Sequence, residues 1–382
     1  MKRAKHLWGE VTSFANLLGA AAKARRGKRA RDAVLHFDLD LEIELHRLQD
    51  ELCARTYQPG PYREFTIYER KPRRIAAAPY RDRVVHHALM NIAGPVLERR
   101  FIDDSYACRV GRGVHAAVAR YQAWAQRYPY AMKLDVVRYF PSIDHQRLRA
   151  KLARCIGDEG VLWLFDRIIA SAPATIVTPS RHEDLVDGMA RRCGLPIGNL
   201  TSQTLANLYL DELDHYVKET LRAPAYLRYV DDLILLHDSK QALRDLARAI
   251  EDHLARDHLR LHERKRQIVP TAAGLDVLGY RVWPNRRRLR PDNGHRFRRR
   301  LAAMARDYAA GKLALADIRP RVASWIGHAL HADTLGLRTA IFDSIVFVRG
   351  GDGRSAARGS RRLVEQQTGE GAFREPQQER HR

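Results

Sequence analysis

Hydrophobic and polar positions change period several times along this chain, and those changes mark its elements. Residues 1–33 read as helix: "LWGEVTSFANLLGAAAKARRGKRARDA" has apolar positions at helical spacing, then a run of Lys and Arg. Helix continues through 34–60 in "LEIELHRLQDELCARTY" and stops at "QPGPY", where Pro and Gly end it. "REFTIYE" reads as a strand and leads to "RKPRRIAAAP", read as a basic turn, before "RDRVVHHALMNIAGPVLERRF" returns to helix. "YAMKLDVVRYF", 130–140, has the composition of a buried strand, and in "PSIDH" either Ser142 or Asp144 can cap the helix that follows. "TSQTLANLYLDELDHYVKETL", 201–221, reads as one long amphipathic helix, and "LRYVDDLILLH", 227–237, as strand, tight turn, strand. The helix "SKQALRDLARAIEDHLARDH" comes next, then a short strand pair around "LDVLGYRVWP" and a small helical bundle over 296–345. From about Arg349 the chain is rich in Gly, Arg, Gln and Glu and is expected to be disordered.

The hairpin poses a physical problem. Asp231 and Asp232 stand side by side in an apolar run, where they repel each other and where burial raises the cost of their charge. Asp is common in turns for its own backbone hydrogen bonds, so a turn role alone accounts for these two. It does not account for Asp135, a third acid isolated in the apolar strand "KLDVVRYF". A strand with Asp, a long helix and a hairpin with Asp-Asp at its tip can bring three carboxylates together on neighbouring antiparallel strands. Such a cluster calls for divalent cations, and its hard oxygen donors suit Mg²⁺.

Composition narrows the partners. The 382 residues suffice for a sizeable core and two or three subdomains, and an apolar fraction of 45% makes the chain globular. A net charge of +22 points to a polyanion: nucleic acid, or an anionic membrane surface. No apolar stretch approaches the roughly 20 residues of a spanning helix, and "MKRAKHLWGEVTSF" has neither the apolar core nor the cleavage site of a signal peptide. The four cysteines, Cys53, Cys108, Cys155 and Cys193, have no metal-ligand spacing, so reduced thiols in a cytoplasmic protein are expected and no zinc site.

With these residues in view the chain resembles the reverse transcriptases over residues 61–340. "YVDD" at 229–232 is similar to the family's catalytic hairpin and "LDVVRYFPSID" to its first catalytic strand. "KPRRIAAAPYRDRVVHHAL" and "DSYACRVGRGVHAAV" resemble its fingers blocks, "LRLHERKRQI" the palm block whose lysine lies near the nucleotide, and "VLGYRV" the primer-grip hairpin, all in the family's order. The resemblance implies an α+β right-hand polymerase with α/β fingers, an antiparallel-sheet palm and a small helical thumb. It places a basic helical N-terminal extension at 1–60, fingers at 61–130, palm at 131–285, thumb at 286–345 and a disordered tail at 346–382.

The resemblance also implies site roles. Asp135, Asp231 and Asp232 would hold two Mg²⁺ ions, or Mn²⁺ in their place. Lys71 and Arg74 would clamp an incoming deoxynucleoside triphosphate, since charge-assisted bonds to phosphate suit both, although basic turns are also commonly just solvated. Lys265 would lie near the nucleotide, and Phe140 would stand under its sugar, leaving a 2′-OH no partner; ordinary core packing is the other reading of that ring. Arg109 and Arg112 would touch template phosphates, and Gly279 and Tyr280 the primer. Nine arginines within 281–300 would follow the duplex backbone, or serve only as a solubilising surface.

One departure is informative. In "GLPIGNLTSQ", Ile197 precedes Gly198 where most reverse transcriptases have Gln, and Gln203 follows Ser202 where most have Pro. That spelling resembles the reverse transcriptases of diversity-generating retroelements, which copy a template-repeat RNA into cDNA with frequent errors opposite adenine. They work with a small basic accessory protein. A glutamine can hydrogen-bond an incoming nucleotide, whereas isoleucine offers only dispersion contact. A group II intron protein would carry a maturase domain beyond the thumb, for which little chain follows "SWIGHALHADTLGLRTAIF". A non-catalytic RNA-binding protein, for example in phage defence, would have no reason to keep three mutually repelling acids. The tail's Glu-Gln-Gln and Gln-Gln-Glu are also what a frame-shifted, asparagine-rich template repeat encodes.

Overall fold

A computed structural model describes residues 2–68, 72–173, 175–177 and 191–349. The chain divides into two compact units, one ending at Asn285 and one beginning at Arg286.

In the first unit, α1 (Trp8–Thr12) and α2 (Phe14–Ala24) are followed by α3 (Asp32–Leu39) and α4 (Leu41–Cys53). The single helix expected over 34–60 is thus two, parted at Asp40, whose φ of −112° and ψ of 34° leave the helical region. Next come β1 (Arg63–Tyr68) and β2 (Pro72–Ala77), an antiparallel pair in register from Arg63 opposite Ala77 to Tyr68 opposite Pro72. The "basic turn" is therefore mostly a strand. Pairing with β1 overrides its composition, and Pro72 is tolerated at the strand's first position. Helix α5 (Tyr80–Glu98) packs along α2, and α6 (Val114–Ala125) leads to β3 (Tyr130–Asp135).

Strand β3 stops at Asp135, short of the expected 140. Arg138 turns left-handed (φ 45°) and the one-turn α7 (Tyr139–Ser142) begins. Asp144, not Ser142, caps α8 (His145–Cys155), its carboxylate accepting from the N–H groups of Gln146 and Arg147 at 2.9 and 3.0 Å. Helix α9 (Glu159–Ser171) and the short pair β4 (Thr175–Val177) and β5 (Arg191–Cys193) follow. The expected 201–221 helix is broken: α10 (Leu200–Tyr209) ends at Leu210, α11 (Asp211–His215) restarts, and residues 216–220 widen to a π turn, a common seat of helix bends.

The hairpin strands β6 (Ala225–Tyr229) and β7 (Asp232–His237) complete the central sheet with β3 and β8 (Gln267–Pro270), in antiparallel order β6-β7-β3-β8. Their inner residues are buried on both faces, which is why "AYLRY" and "DLILL" read as near-continuous apolar runs. Helix α12 (Lys240–Ala255), capped by Ser239, covers the sheet with Leu243, Ala247, Ile250 and Leu254. A tight hairpin of β9 (Leu275–Val277) and β10 (Tyr280–Val282) follows. Leu278 and Gly279 both take positive φ, 47° and 98°, as a two-residue turn of this hand requires.

The second unit holds β11 (Arg287–Leu289) and the helices α13 (Pro291–Ala309), α14 (Leu315–Ala329) and α15 (Leu335–Asp343). Its core joins Phe297, Leu301, Met304, Ile318 and Ile341, with Trp325 stacked on Phe297 at 3.8 Å between ring centroids. Arg298, Arg299 and Arg300 are exposed on α13. The α+β class expected from the sequence is the one found. The tail expectation falls almost wholly outside the described residues.

Candidate active site

The sheet sets the acids facing one another. The register of β3 and β7 places Asp135 directly opposite Asp232, and the β6–β7 turn carries Asp231 beside them. Like charges opposite each other on a sheet repel, and each of this pair is met by a lysine. Lys133 Nζ lies 2.8 Å from Asp232 Oδ2, and Lys265 pairs with Asp135. Asp231 makes no such ion pair among the described residues, although the Lys133 charge also acts on it. Burial first, then the charges of Asp232 and Asp135, push its carboxyl up to about 6. The turn closes on β3 through its backbone, the Asp231 carbonyl accepting from Val136 N–H at 3.3 Å.

Among the described residues no three acidic, His or Cys side chains are already gathered into a metal-ligand shell. The donor chemistry nonetheless fits a hard divalent cation: carboxylate oxygens and crowded negative charge, with one acid that makes no ion pair among the described residues.

A second group of expected residues meets around the segment 194–203. Leu195 N–H donates to the Phe140 carbonyl at 3.0 Å, and the Ile197 carbonyl accepts from Ala76 N–H of β2 at 3.2 Å. Gly198 has φ 119°, and a Cβ there would stand 3.0 Å from the Ile75 side chain, so glycine is needed on both counts. Beside this junction lies a cavity of about 1180 Å³ whose wall includes Arg31, Arg63, Arg83, Ile75, Gly198 and Gln203. Its positive charge is dense: Lys28, also in the wall, has its pKa lowered by burial and then by the Arg83 and Arg31 guanidiniums. Phe140 is half-buried against the core, and Arg74, exposed on β2, pairs with Glu64. Lys71 lies outside the described residues.

Two residues expected to contact nucleic acid have side chains turned away from solvent in this structure. Arg109 is not available to a template phosphate in this structure. Its side chain is 7% exposed, with Nε 2.6 Å from Glu98 Oε1 and Nη1 on the carbonyls of Ile102 and Ser105, so it braces its own loop. Tyr280 is fully buried, its ring edge-on to His115, and a ring inside the core cannot meet a primer. Arg112 stays exposed, paired with Asp103 at 2.8 Å, and Gly279 is open to its surroundings. Sequence reasoning misses Lys133, although it stands two residues before Asp135 and hence on the same strand face.

Comparison with known proteins gives the class. The sequence model described as "Reverse transcriptase (RNA-dependent DNA polymerase)" matches residues 66–282. The chain belongs to the reverse transcriptase family, whose right-hand polymerase fold agrees with the antiparallel sheet and its flanking helices. It is 27% identical over 290 residues to protein YkfC of Escherichia coli, covering 65% of this chain and 73% of that one. It is 23% identical over 236 residues to the group II intron-encoded protein LtrA of Lactococcus lactis, covering 60% of this chain and 38% of that protein. Among solved structures, apo telomerase from Candida tropicalis superposes with a TM-score of 0.43 at 12% identity, covering 59% of this chain and 48% of that one. No helix of the described residues is long and apolar enough to cross a membrane.

Proposed function

We propose that this chain is an RNA-directed DNA polymerase of the diversity-generating type, which copies a template-repeat RNA into cDNA with errors concentrated opposite adenine. The observation that carries the polymerase reading is the cross-strand placement of Asp135 and Asp232 with Asp231 at the adjoining turn. Two Mg²⁺ or Mn²⁺ ions held by these three acids would supply activation of the primer 3′-oxygen and neutralisation of charge on the leaving pyrophosphate. The chain's own residues do the rest. Lys133 and Lys265 pair with Asp232 and Asp135 and offset their mutual repulsion, and Arg74, with Lys71, grips the triphosphate. Phe140 presents a ring to the sugar, which favours deoxynucleotides. The cavity bounded by Arg31, Arg63 and Arg83 supplies a positively charged path for single-stranded template, and Arg298–Arg300 on α13 a surface for the duplex backbone.

The diversity-generating reading rests on Ile197 and Gln203. Gln203 borders the cavity, and Ile197 is half-buried on the loop fastened to β2, where an isoleucine adds no polar restraint on a base pair. Ile197→Gln is therefore expected to lower misincorporation opposite template adenine by about tenfold, the worth of one hydrogen-bonded discrimination. Deep sequencing of cDNAs made on a defined RNA checks this, and an unchanged adenine error rate places the looseness elsewhere. The likeness to a group II intron-encoded protein favours a second reading, an intron-type reverse transcriptase. The same cDNAs separate the two, since that reading predicts no excess of errors at adenine.

A further inference from the structure

β6 contains one charged residue, Arg228, and it is 0% exposed. Its guanidinium is held by acceptors on every nitrogen. Nε lies 2.8 and 2.9 Å from the two Asp214 oxygens, and Nη2 lies 2.6 Å from Asp214 Oδ2 and 3.1 Å from the Asn207 carbonyl. Nη1 reaches Asn207 Oδ1 at 3.1 Å and the Val230 carbonyl at 3.2 Å. The partners are themselves anchored: Tyr226 OH donates to Asp214 at 2.7 Å, and Asn207 Nδ2 to the Ala107 carbonyl at 2.8 Å. The backbone on either side is gripped as well, Arg228 N–H donating to the Asp104 carbonyl and Tyr106 N–H to the Arg228 carbonyl.

Burying such a pair seldom gains stability over apolar residues of the same size, so packing alone does not explain it. Most of the guanidinium's contacts lead into α10 and α11, and one leads out, to Val230. Val230 has φ 57°, in the left-handed region that a β-branched residue strongly disfavours. That residue immediately precedes Asp231. If it relaxed to negative φ, the Asp231 carboxyl would swing relative to Asp232 and Asp135.

Building on the polymerase reading above, we infer that Arg228, clamped by Asp214 and Asn207, is a positioning residue that holds Val230 in its strained turn and thereby sets Asp231 against Asp135 and Asp232. It touches neither substrate nor reacting atoms and acts through the backbone of the turn.

Two full-length variants test this. Arg228→Met with Asp214→Leu removes both buried charges together, and Arg228→Lys keeps a charge on Asp214 without the planar fork. Each is measured for melting temperature, primer–template affinity, direct Mn²⁺ binding by paramagnetic resonance, and kcat and KM for deoxynucleotide. The double variant is expected to melt within a few degrees of the parent and to bind primer–template equally well. Its kcat falls by about a hundredfold, the scale of a small misplacement of a reacting group, with KM for deoxynucleotide little changed and Mn²⁺ bound about tenfold more weakly. Arg228→Lys moves in the same direction and carries the test if the double variant does not fold. Parent-like kcat and Mn²⁺ affinity in either folded variant overturns the inference, and so does loss of folding in both, which makes the pair a requirement of the fold alone. Failure of the polymerase reading looks different: the parent chain itself does not extend a primer.

Discussion

Replacing Asp231 with Asn is expected to abolish primer extension on RNA and DNA templates alike, by a factor on the order of 10³ or more, as for other groups that act on a transition state. The substitution keeps the side chain's size and removes one charge from a set of three. Asp231 is the member that makes no ion pair among the described residues, so its charge is the one most available to a divalent cation. Binding of primer–template should survive, because it rests on Lys and Arg spread over a chain of net charge +22. Rapid-quench extension beside a filter-binding titration checks both halves. Parent-like extension in the variant removes Asp231 from the chemistry.

The same substitution should stabilise the protein, and only at the higher pH. Burial and the two neighbouring acids lift the Asp231 carboxyl from 3.8 to about 6. Below about pH 3.8 it is protonated in folded and unfolded chains alike, and no penalty exists. Between 3.8 and 6 the folded chain keeps a proton that the unfolded chain has shed, so stability falls as pH rises through this window and stays lower above it. A rise of this size corresponds to about 2–3 kcal/mol. In chelator, Asp231→Asn should therefore raise stability at pH 7.5 by up to ~2 kcal/mol and leave it unchanged near pH 4. Asp211, also lifted to about 6 by burial, titrates in both proteins and cancels from the difference. Denaturant melts at the two pH values give the answer, and equal changes at both exclude a charge origin. Saturating Mg²⁺ should narrow the gap at pH 7.5, since it binds the ionised form that the proton opposes.

A buried charge that weakens the fold is visible in sequence when the local pattern opposes it. Asp135, Asp231 and Asp232 stand out because period and composition demand apolar residues there, and β3 opposite β7 shows the strands they imply. Lys265 stands out in its block, but its pairing with Asp135 comes from the structure. Strand β2 is hidden, because "PRRIAA" is a strand only by virtue of β1 beside it. Arg109 and Tyr280 read as outward-facing because a motif says nothing of side-chain direction, and burial decides that. The Arg228 network is out of reach for a different reason. Asp104 is remote in sequence and Asn207 and Asp214, 21 and 14 residues before Arg228, lie on two helices parted at Leu210, so a buried arginine inside "LRYVDD" is legible only once Asp214 is known to sit beside it.

Whether this acid-bearing sheet polymerises DNA on RNA is decided by a single-turnover extension series. The full-length chain is incubated with a primer annealed to RNA, Mg²⁺ and deoxynucleotides, and single-nucleotide products are resolved over time, with Asp135→Asn in parallel. Template-directed, Mg²⁺-dependent addition of deoxynucleotides is expected from the parent and none from the variant. Tight binding of the RNA with no addition by the parent, in either Mg²⁺ or Mn²⁺, would contradict the assignment and leave an RNA-binding protein on a polymerase fold.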